Sequence, residues 1–335
     1  MLEWYAEWLP QTTSQPTSSF YTLLYRDPAL AAQAPTALPL SRQFLDIGWI
    51  ATRTDLTSGH DIEFGFKSQP WTATDRRAKG HDHPDANNFL LNFLGKPLLV
   101  DSGYYDYYGS PHHTGWTFTG RAHNTLLIDG QEQLARRPGK IVSFVSRPGL
   151  FDWIEGEGAA SYPDGLLKSW RRQVLYLRPD LFVIHDLVRP VKPATITWLL
   201  HGAAPFELEG QAFVCRNGDA EVAGLIAAPA DLQVKQWRGF PAGAEPERTT
   251  ERAKHEFPDQ SHLEFATPGK VGDTTFITVF RPGRANELKR PRVSIESSTH
   301  GDRLTIQLGD GKTAHVVFAP DPTSDEPSAV PTVTY

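Results

Sequence analysis

The side chains with the most capacity for chemistry crowd into one stretch, Arg76 to Gly130. It opens Arg76-Arg77-Ala78-Lys79-Gly80-His81-Asp82-His83-Pro84-Asp85 and passes through Asp101-Ser102-Gly103-Tyr104-Tyr105-Asp106-Tyr107-Tyr108 and His112-His113. It ends at Arg121-Ala122-His123-Asn124-Thr125 and the Asp129-Gly130 turn. Neutral imidazole and carboxylate are donors that zinc and similar ions favour, and three protein ligands hold such an ion while leaving a position open. His and Tyr also exchange protons with a substrate once their surroundings shift their pKa toward the working pH. Arg76, Arg77, Lys79 and Arg121 form a local basic patch, whose bland alternative is a solvated loop face. A single His in a turn is ordinarily a surface residue; the clustering of histidines sets this stretch apart.

Short strands must position these groups. From about Arg42 onward, β-rich runs alternate with turn residues, among them Phe44 to Arg53, Asp61 to Phe66, Phe89 to Leu94, Leu98 to Asp101 and Asn124 to Ile128. Later ones include Trp170 to Leu177, Leu181 to Leu187, Thr195 to His201, Thr274 to Phe280 and Thr313 to Phe318. Asp129-Gly130, Asn217-Gly218 and Gly309-Asp310-Gly311 are turn signals that close antiparallel hairpins. About sixteen candidate strands are too many for one flat sheet, so two large sheets packed face to face are expected. Before residue 40, Leu2 to Leu9 and Phe20 to Gln33 carry apolar residues at loosely helical spacing, which predicts two short helices. The expected organisation is a helical segment over 1–40 and a large antiparallel β-sandwich over 41–335. Gly239 to Pro258, rich in Pro, Gly, Glu and Arg, reads as a long exposed loop.

The composition excludes several classes. With 39% hydrophobic residues, 11% aromatic and nine Trp, the chain can bury a sizeable core. No run approaches the 18 or more apolar residues of a membrane helix, and Met1-Leu2-Glu3-Trp4-Tyr5 lacks the basic and apolar regions of a secretory signal. A net charge of -6 argues against a nucleic-acid partner. Cys215 is the one cysteine, so neither an internal disulfide nor a Cys-based zinc cage is available.

Three metal architectures compete for the motif. His81-Asp82-His83-Pro84-Asp85 has the spacing that opens a metallo-β-lactamase site, but Ala86 stands where that pattern places another His, and that fold alternates strands and helices. A cupin places HxH on a β-sandwich but adds a Glu a few residues on, and residues 83–101 contain none. A longer series of blocks resembles the heparinase II/III-like polysaccharide lyases. It consists of His81-Asp82-His83-Pro84-Asp85, Asn88-Phe89, Gly95-Lys96-Pro97-Leu98-Leu99-Val100-Asp101-Ser102-Gly103-Tyr104, and Arg121-Ala122-His123-Asn124-Thr125-Leu126-Leu127-Ile128-Asp129-Gly130. Weaker continuations are Trp170-Arg171-Arg172, the Leu181 to Asp186 strand and Trp198-Leu199-Leu200-His201.

The resemblance implies an antiparallel β super-sandwich preceded by an α/α toroid, of which the first residues would be the tail, the remainder being missing or supplied by a separate partner. It implies a structural zinc on His83, Asp101 and His123, His81 facing the cleft as a catalytic group, and a nearby Tyr approaching the substrate, with Tyr107 as the choice. Arg76, Arg77, Arg121 and His201 are the substrate-binding candidates. The reaction implied is β-elimination on a uronate-containing polysaccharide or oligosaccharide, in the periplasm or outside the cell. Alternatives are a carbohydrate-binding sandwich without catalysis and a metal-dependent hydrolase of another type. Trp116 and Trp153 have the chemistry to stack on sugar rings or to pack in the core. A hairpin at Gly95 to Pro97 with a straight chain back to His83 would leave that His about 25 Å from Asp101 at roughly 3.3 Å per residue. Residues 84–88 are therefore expected to turn back, as Pro84, Asp85, Asn87 and Asn88 favour.

Overall fold

The computed structural model describes residues 33–70, 82–103, 105–248, 257–288, 290–299, 301–307, 313–320 and 326–335, together with Ala29 and Gly311. The two helices expected before residue 34 lie outside these residues but for Ala29 and Gln33, and Arg76, Arg77, Lys79, His81 and Tyr104 lie outside them as well. Among the described residues the chain is built of antiparallel strands, with only short helical turns between them. No helix among them is long and apolar enough to cross a membrane.

One sheet of nine strands runs in the order Ser41–Phe44, Trp49–Arg53, Ile62–Lys67, Asn88–Phe93, Lys96–Leu99, Ile196–Gly202, Ser261–Ala266 and Gln233–Arg238, with Leu126–Ile128 pairing to Ile196–Gly202. The second, of eight, runs Phe206–Glu209, Ala212–Asn217, Ala220–Ala228, Thr274–Arg284, Leu181–Pro190, Leu167–Leu177, Phe151–Glu157 and Lys140–Arg147. The period-2 alternation of each strand decides which side chains meet between the sheets. Phe64, Phe89, Trp198 and Phe265 from the first sheet pack on Trp170, Phe182 and Phe280 from the second.

The expectation of two sheets was incomplete. A third sheet of four strands, Arg292–Ser298, Gly301–Gln307, Thr313–Phe318 and Thr332–Thr334, covers the outer face of the second. Leu304, Ile306, Val316 and Phe318 pack there against Trp153, Leu175, Val183 and Val279. Trp153 is thus a core residue, fully buried. The strands Phe206–Glu209, Ala212–Asn217 and Ser261–Ala266 were also not anticipated. Residues 239–248 form a loop, as expected, but one that is exposed only in part: Ala244 is buried beside Trp116, and Phe240 packs on the same cluster.

The two main sheets are joined by a buried charged centre. Arg172 and Asp186, both fully buried, pair through two bonds, Nε to Oδ1 at 2.8 Å and Nη2 to Oδ2 at 2.9 Å. The Trp170 and Trp198 indoles donate to the same carboxylate, each at 2.8 Å. Arg172 Nη1 donates to the carbonyl of Asn87 at 2.8 Å and to that of Asn124. Its guanidinium also lies over the rings of Trp170, Trp198 and Phe89 at 5.1 to 5.5 Å. A second polar chain crosses to the small sheet: Gln173 Oε1 meets His185 Nδ1 at 2.8 Å, and His185 Nε2 meets Asp302 Oδ2 at 2.8 Å.

Arg172→Met should destabilise the fold by about 3–5 kcal/mol, since it leaves a buried carboxylate without its charge partner. Substituting Asp186 by Leu as well should not restore stability, because two indole N–H groups and two carbonyls stay unpaired; denaturant unfolding of the three proteins checks both statements. The hydrogen bond from His185 holds the Asp302 pKa below the usual carboxylate value against the opposing effect of burial. A carboxylate with a depressed folded pKa stabilises above its unfolded value of roughly 3.9 and loses that contribution as pH falls through the folded value. The melting-temperature gap between wild type and Asp302→Asn should therefore be widest above pH 5 and close toward pH 2.

Candidate metal centre and cleft

The outward face of the nine-stranded sheet carries the candidate site. Alternation turns Phe64, Phe66, Phe89 and Leu91 inward and Lys67 and Asn88 outward, at the strand ends nearest His83. The expected turn over residues 84–88 is present. Asp85 N–H donates to His83 O at 2.9 Å, Asn88 N–H to Asp85 O at 3.1 Å, and Asn87 takes a left-handed φ of 60°. Asn tolerates this conformation better than most side chains, and Asn87 Nδ2 reaches the carbonyls of Gly156 and Trp170 at 3.2 and 3.3 Å. The turn presses so closely on the second sheet that a Cβ at Gly156 would collide with Asn87 Oδ1.

The turn brings His83 back to Asp101. A bulge between Leu91 and Asn92 pairs Leu91 with Leu99 rather than with Asp101. This places Asp101 next to Asn88, whose Nδ2 donates to Asp101 Oδ2 at 2.7 Å. His123 arrives from the segment before Leu126–Ile128, with Nδ1 3.1 Å from the same oxygen. The rings of His83 and His123 lie 5.3 Å apart. One donor atom from each of His83, Asp101 and His123 lies within 4.8 Å of the others. The donor chemistry suits a borderline divalent cation, with two imidazoles and one carboxylate. His123 is fully buried, and its Nε2 has no hydrogen-bond partner among the described residues.

The electrostatics agree with a site built for positive charge. Burial pushes the His83 pKa down to about 4, helped by the neighbouring His123, so the ring is neutral at ordinary pH. Burial opposes ionisation of Asp101, yet His123 outweighs it and holds the carboxyl below the usual range. Beside them Lys67 Nζ lies 2.8 Å from Asp82 and 2.6 Å from Asp85. Burial opposes its charge, but Asp85 and Asp82 prevail and keep the ammonium protonated. His83, Asp101, Lys67 and Asn88 open onto a cleft of about 500 Å³ that extends along the sheet to Trp49 and Arg53.

Asn124 holds the three ligand segments in register. Its N–H donates to Asn88 Oδ1 at 2.9 Å, and its side-chain amide donates to Phe89 O at 2.7 Å and Val100 O at 3.0 Å. Its Oδ1 accepts from His201 N–H at 2.7 Å. The His201 ring is buried, with Nε2 3.0 Å from His123 O and Nδ1 2.6 Å from His262 Nδ1. His262 Nε2 in turn lies 2.8 Å from Gly239 O. Burial drives the His201 pKa well below its ordinary value, and that of His262 to about 4. Two neutral rings own two N–H protons for these three contacts, so one contact is made without a proton. Both His201 nitrogens are engaged within the protein, and the residue backs His123 from behind.

The other expected site residues are dispersed. Tyr107 is 52% exposed on a turn, its N–H donating to Asp106 Oδ1 at 2.9 Å. Arg121 faces a separate cavity and lies 3.5 Å from Glu132. Lys67, Asn124 and His262 were not singled out from the sequence. Lys67 ends an alternating strand and His262 sits in Ser-His-Leu-Glu-Phe-Ala, so alternation was the available signal for both.

A family model for the heparinase II/III-like C-terminal region matches residues 36–261. No curated protein matches the sequence. Among solved structures, a heparinase III, the BT4657 gene product, superposes with a TM-score of 0.67 at 19% identity over 85% of this chain and 43% of its own. The heparan sulfate lyase HepC from Pedobacter heparinus gives 0.67 at 16% identity, over 95% of this chain and 47% of its own. A further heparinase III gives 0.65 at 16%, over 84% and 42%. The chain thus spans less than half the length of these structures, and the likeness to them is one of fold. Matched over most of its length and built as the same antiparallel sandwich, the chain belongs to the heparinase II/III-like family.

Proposed function

We propose that this chain is the sandwich part of a polysaccharide lyase that cleaves a uronate-containing acidic glycan by β-elimination, in the periplasm or outside the cell. The observation that carries the reading is the meeting of His83, Asp101 and His123 beside an open cleft, in a chain of this family. Zn2+ is the ion proposed for them, and when bound it would tie three separate segments together and add positive field beside the cleft. His83, Asp101 and His123 would hold it, with Asn88 and Asn124 orienting the ligands from behind.

In the elimination, a base takes the C5 proton, the electron pair forms the C4–C5 double bond, the C4–O4 bond breaks, and an acid returns a proton to O4. His81 and Tyr107 are assigned to these proton transfers, being the side-chain types able to give and take a proton. Arg76 and Arg77 are assigned to the acidic group of the reacting ring, where a guanidinium stabilises the carboxylate as charge builds on C5, and Arg121 to an acidic group of the glycan further along, in the separate cavity it faces. His201 belongs to this reading as a positioning residue for His123. An α/α toroid, in the same polypeptide or on a partner, supplies the opposite wall of the cleft.

Incubation with heparan sulfate, alginate and related polyuronates, with the chain alone and with a toroid domain added, should yield an unsaturated uronate seen as rising ultraviolet absorbance. Flat traces on every substrate in both settings would reject the reading. The purified protein should carry close to one zinc per chain by elemental analysis. His83→Ala, Asp101→Ala and His123→Ala should each lose most of it, and chelation should lower the melting temperature by several degrees. Full metal retention in all three variants would remove these residues from the site.

A further inference from the structure

Outside the cleft, the same face of the nine-stranded sheet carries a second cavity. In-register pairing places Trp237 against His262 and Lys235 against Glu264, and His262 against His201. These side chains alternate with the inward Leu263 and Phe265, so they share the outward face with Asn88 and Lys67. Leu127 joins them from the strand paired to Ile196–Gly202. Residues 239–248 fold over the end of this surface, pinned by His112 Nδ1 against Ala244 O at 2.8 Å and by the His112 ring edge-on to Phe240 at 4.8 Å. What remains is a cavity of about 250 Å³ lined by Trp116, Arg121, Lys235, Trp237, Phe240 and Glu264, among others.

We propose that this cavity is a second saccharide subsite that takes one acid-bearing pyranose ring. The sugar stacks on Trp237, and its carboxylate or sulfate sits between Arg121 and Lys235. The ligand class rests on the lyase reading above; the site itself rests on three features of the cavity. Its volume falls below the roughly 300–1,000 Å³ of pockets that enclose a whole drug-sized ligand, which suits a single ring of a chain that continues elsewhere.

The second feature is aromatic. Trp237 is half-buried on His262, with ring centroids 4.0 Å apart, and its Nε1 donates to Glu264 Oε1 at 2.9 Å. Its plane is therefore fixed before any ligand arrives, and an indole face receives the apolar C–H face of a sugar at low entropic cost. The third is charge. The Arg121 and Lys235 side chains are 46% and 67% exposed, and their present partners are Glu132 at 3.5 Å and Glu264 at 3.1 Å. Solvent-exposed pairs of this kind are weak, so an incoming carboxylate or sulfate displaces them readily, and the guanidinium offers two parallel donors to it.

The Arg121-to-His123 segment connects the two sites, since Arg121 lines the cavity two residues before the candidate ligand His123.

The test is titration of the metal-loaded protein with D-glucuronate, N-acetylglucosamine 6-sulfate and neutral glucose, followed through the tryptophan indole N–H signals by NMR. The Trp116 and Trp237 signals should move with one or both acidic sugars and much less with glucose. Arg121→Ala and Lys235→Ala, changes at exposed positions, should each raise Kd at least fivefold with unchanged melting temperature and zinc content, and Trp237→Ala should abolish binding. Still indole signals at saturating sugar, or Kd values unchanged in the two cation variants, would overturn the subsite. Lyase activity is scored separately. Shifted indoles without any unsaturated product leave the subsite standing and reject only the lyase reading, whereas product formation with still indoles rejects only the subsite.

Discussion

The structure turns on one buried ion pair. Arg172 and Asp186 sit between the two main sheets, out of reach of water, and every strong hydrogen-bonding position around the carboxylate is taken by the guanidinium or by the Trp170 and Trp198 indoles. Ion pairs buried this deeply seldom add net stability over an apolar substitute, because desolvation of both charges offsets their attraction. This pair gives orientation in return. The two carbonyls that Arg172 Nη1 holds belong to Asn87 and Asn124, the residues that shape the His83 turn and flank His123. The core centre and the candidate metal centre are thus one hydrogen bond apart.

From Asn124 the polar framework spreads outward across the first sheet. Its side chain satisfies the carbonyls of Phe89 and Val100 and its N–H finds Asn88, so three separate segments are fixed against each other before any ion is considered. His201 and His262 extend the framework toward the second cavity. A ligand set of this kind needs its supports held as tightly as its donors. The outward face is accordingly mixed, with charged and amide groups among aromatic rings, whereas the inward face is nearly all apolar.

On the far side, the small third sheet makes the second sheet a middle layer. Glu155, Gln173 and His185 lie on its covered face and are satisfied by Ser328 and Asp302 from the C-terminal region. Docking of the last part of the chain on that surface completes the polar set, giving Glu155 its Ser328 partners and His185 its Asp302 partner in place of water.

The sequence alone determined the all-β class, because period-2 alternation bounded by Gly, Pro and Asn is a local property that each strand declares for itself. Pro84, Asp85, Asn87 and Asn88 favour a turn at residues 84–88, and the resemblance supplied its closure together with the grouping of His83, Asp101 and His123. Tertiary structure alone decided which polar strands would join a sheet. Phe-Glu-Leu-Glu at 206–209 and Ser-His-Leu-Glu-Phe-Ala at 261–266 alternate, but both are short and half polar, and neighbouring strands complete their ladders. It also decided that residues 239–248 close over Trp116, that His201 meets His262, and that Arg121 lines a cavity while His123, two residues on, is buried beside His83 and Asp101. Each depends on contacts between residues far apart in the chain, whose strength comes from burial that no local pattern encodes.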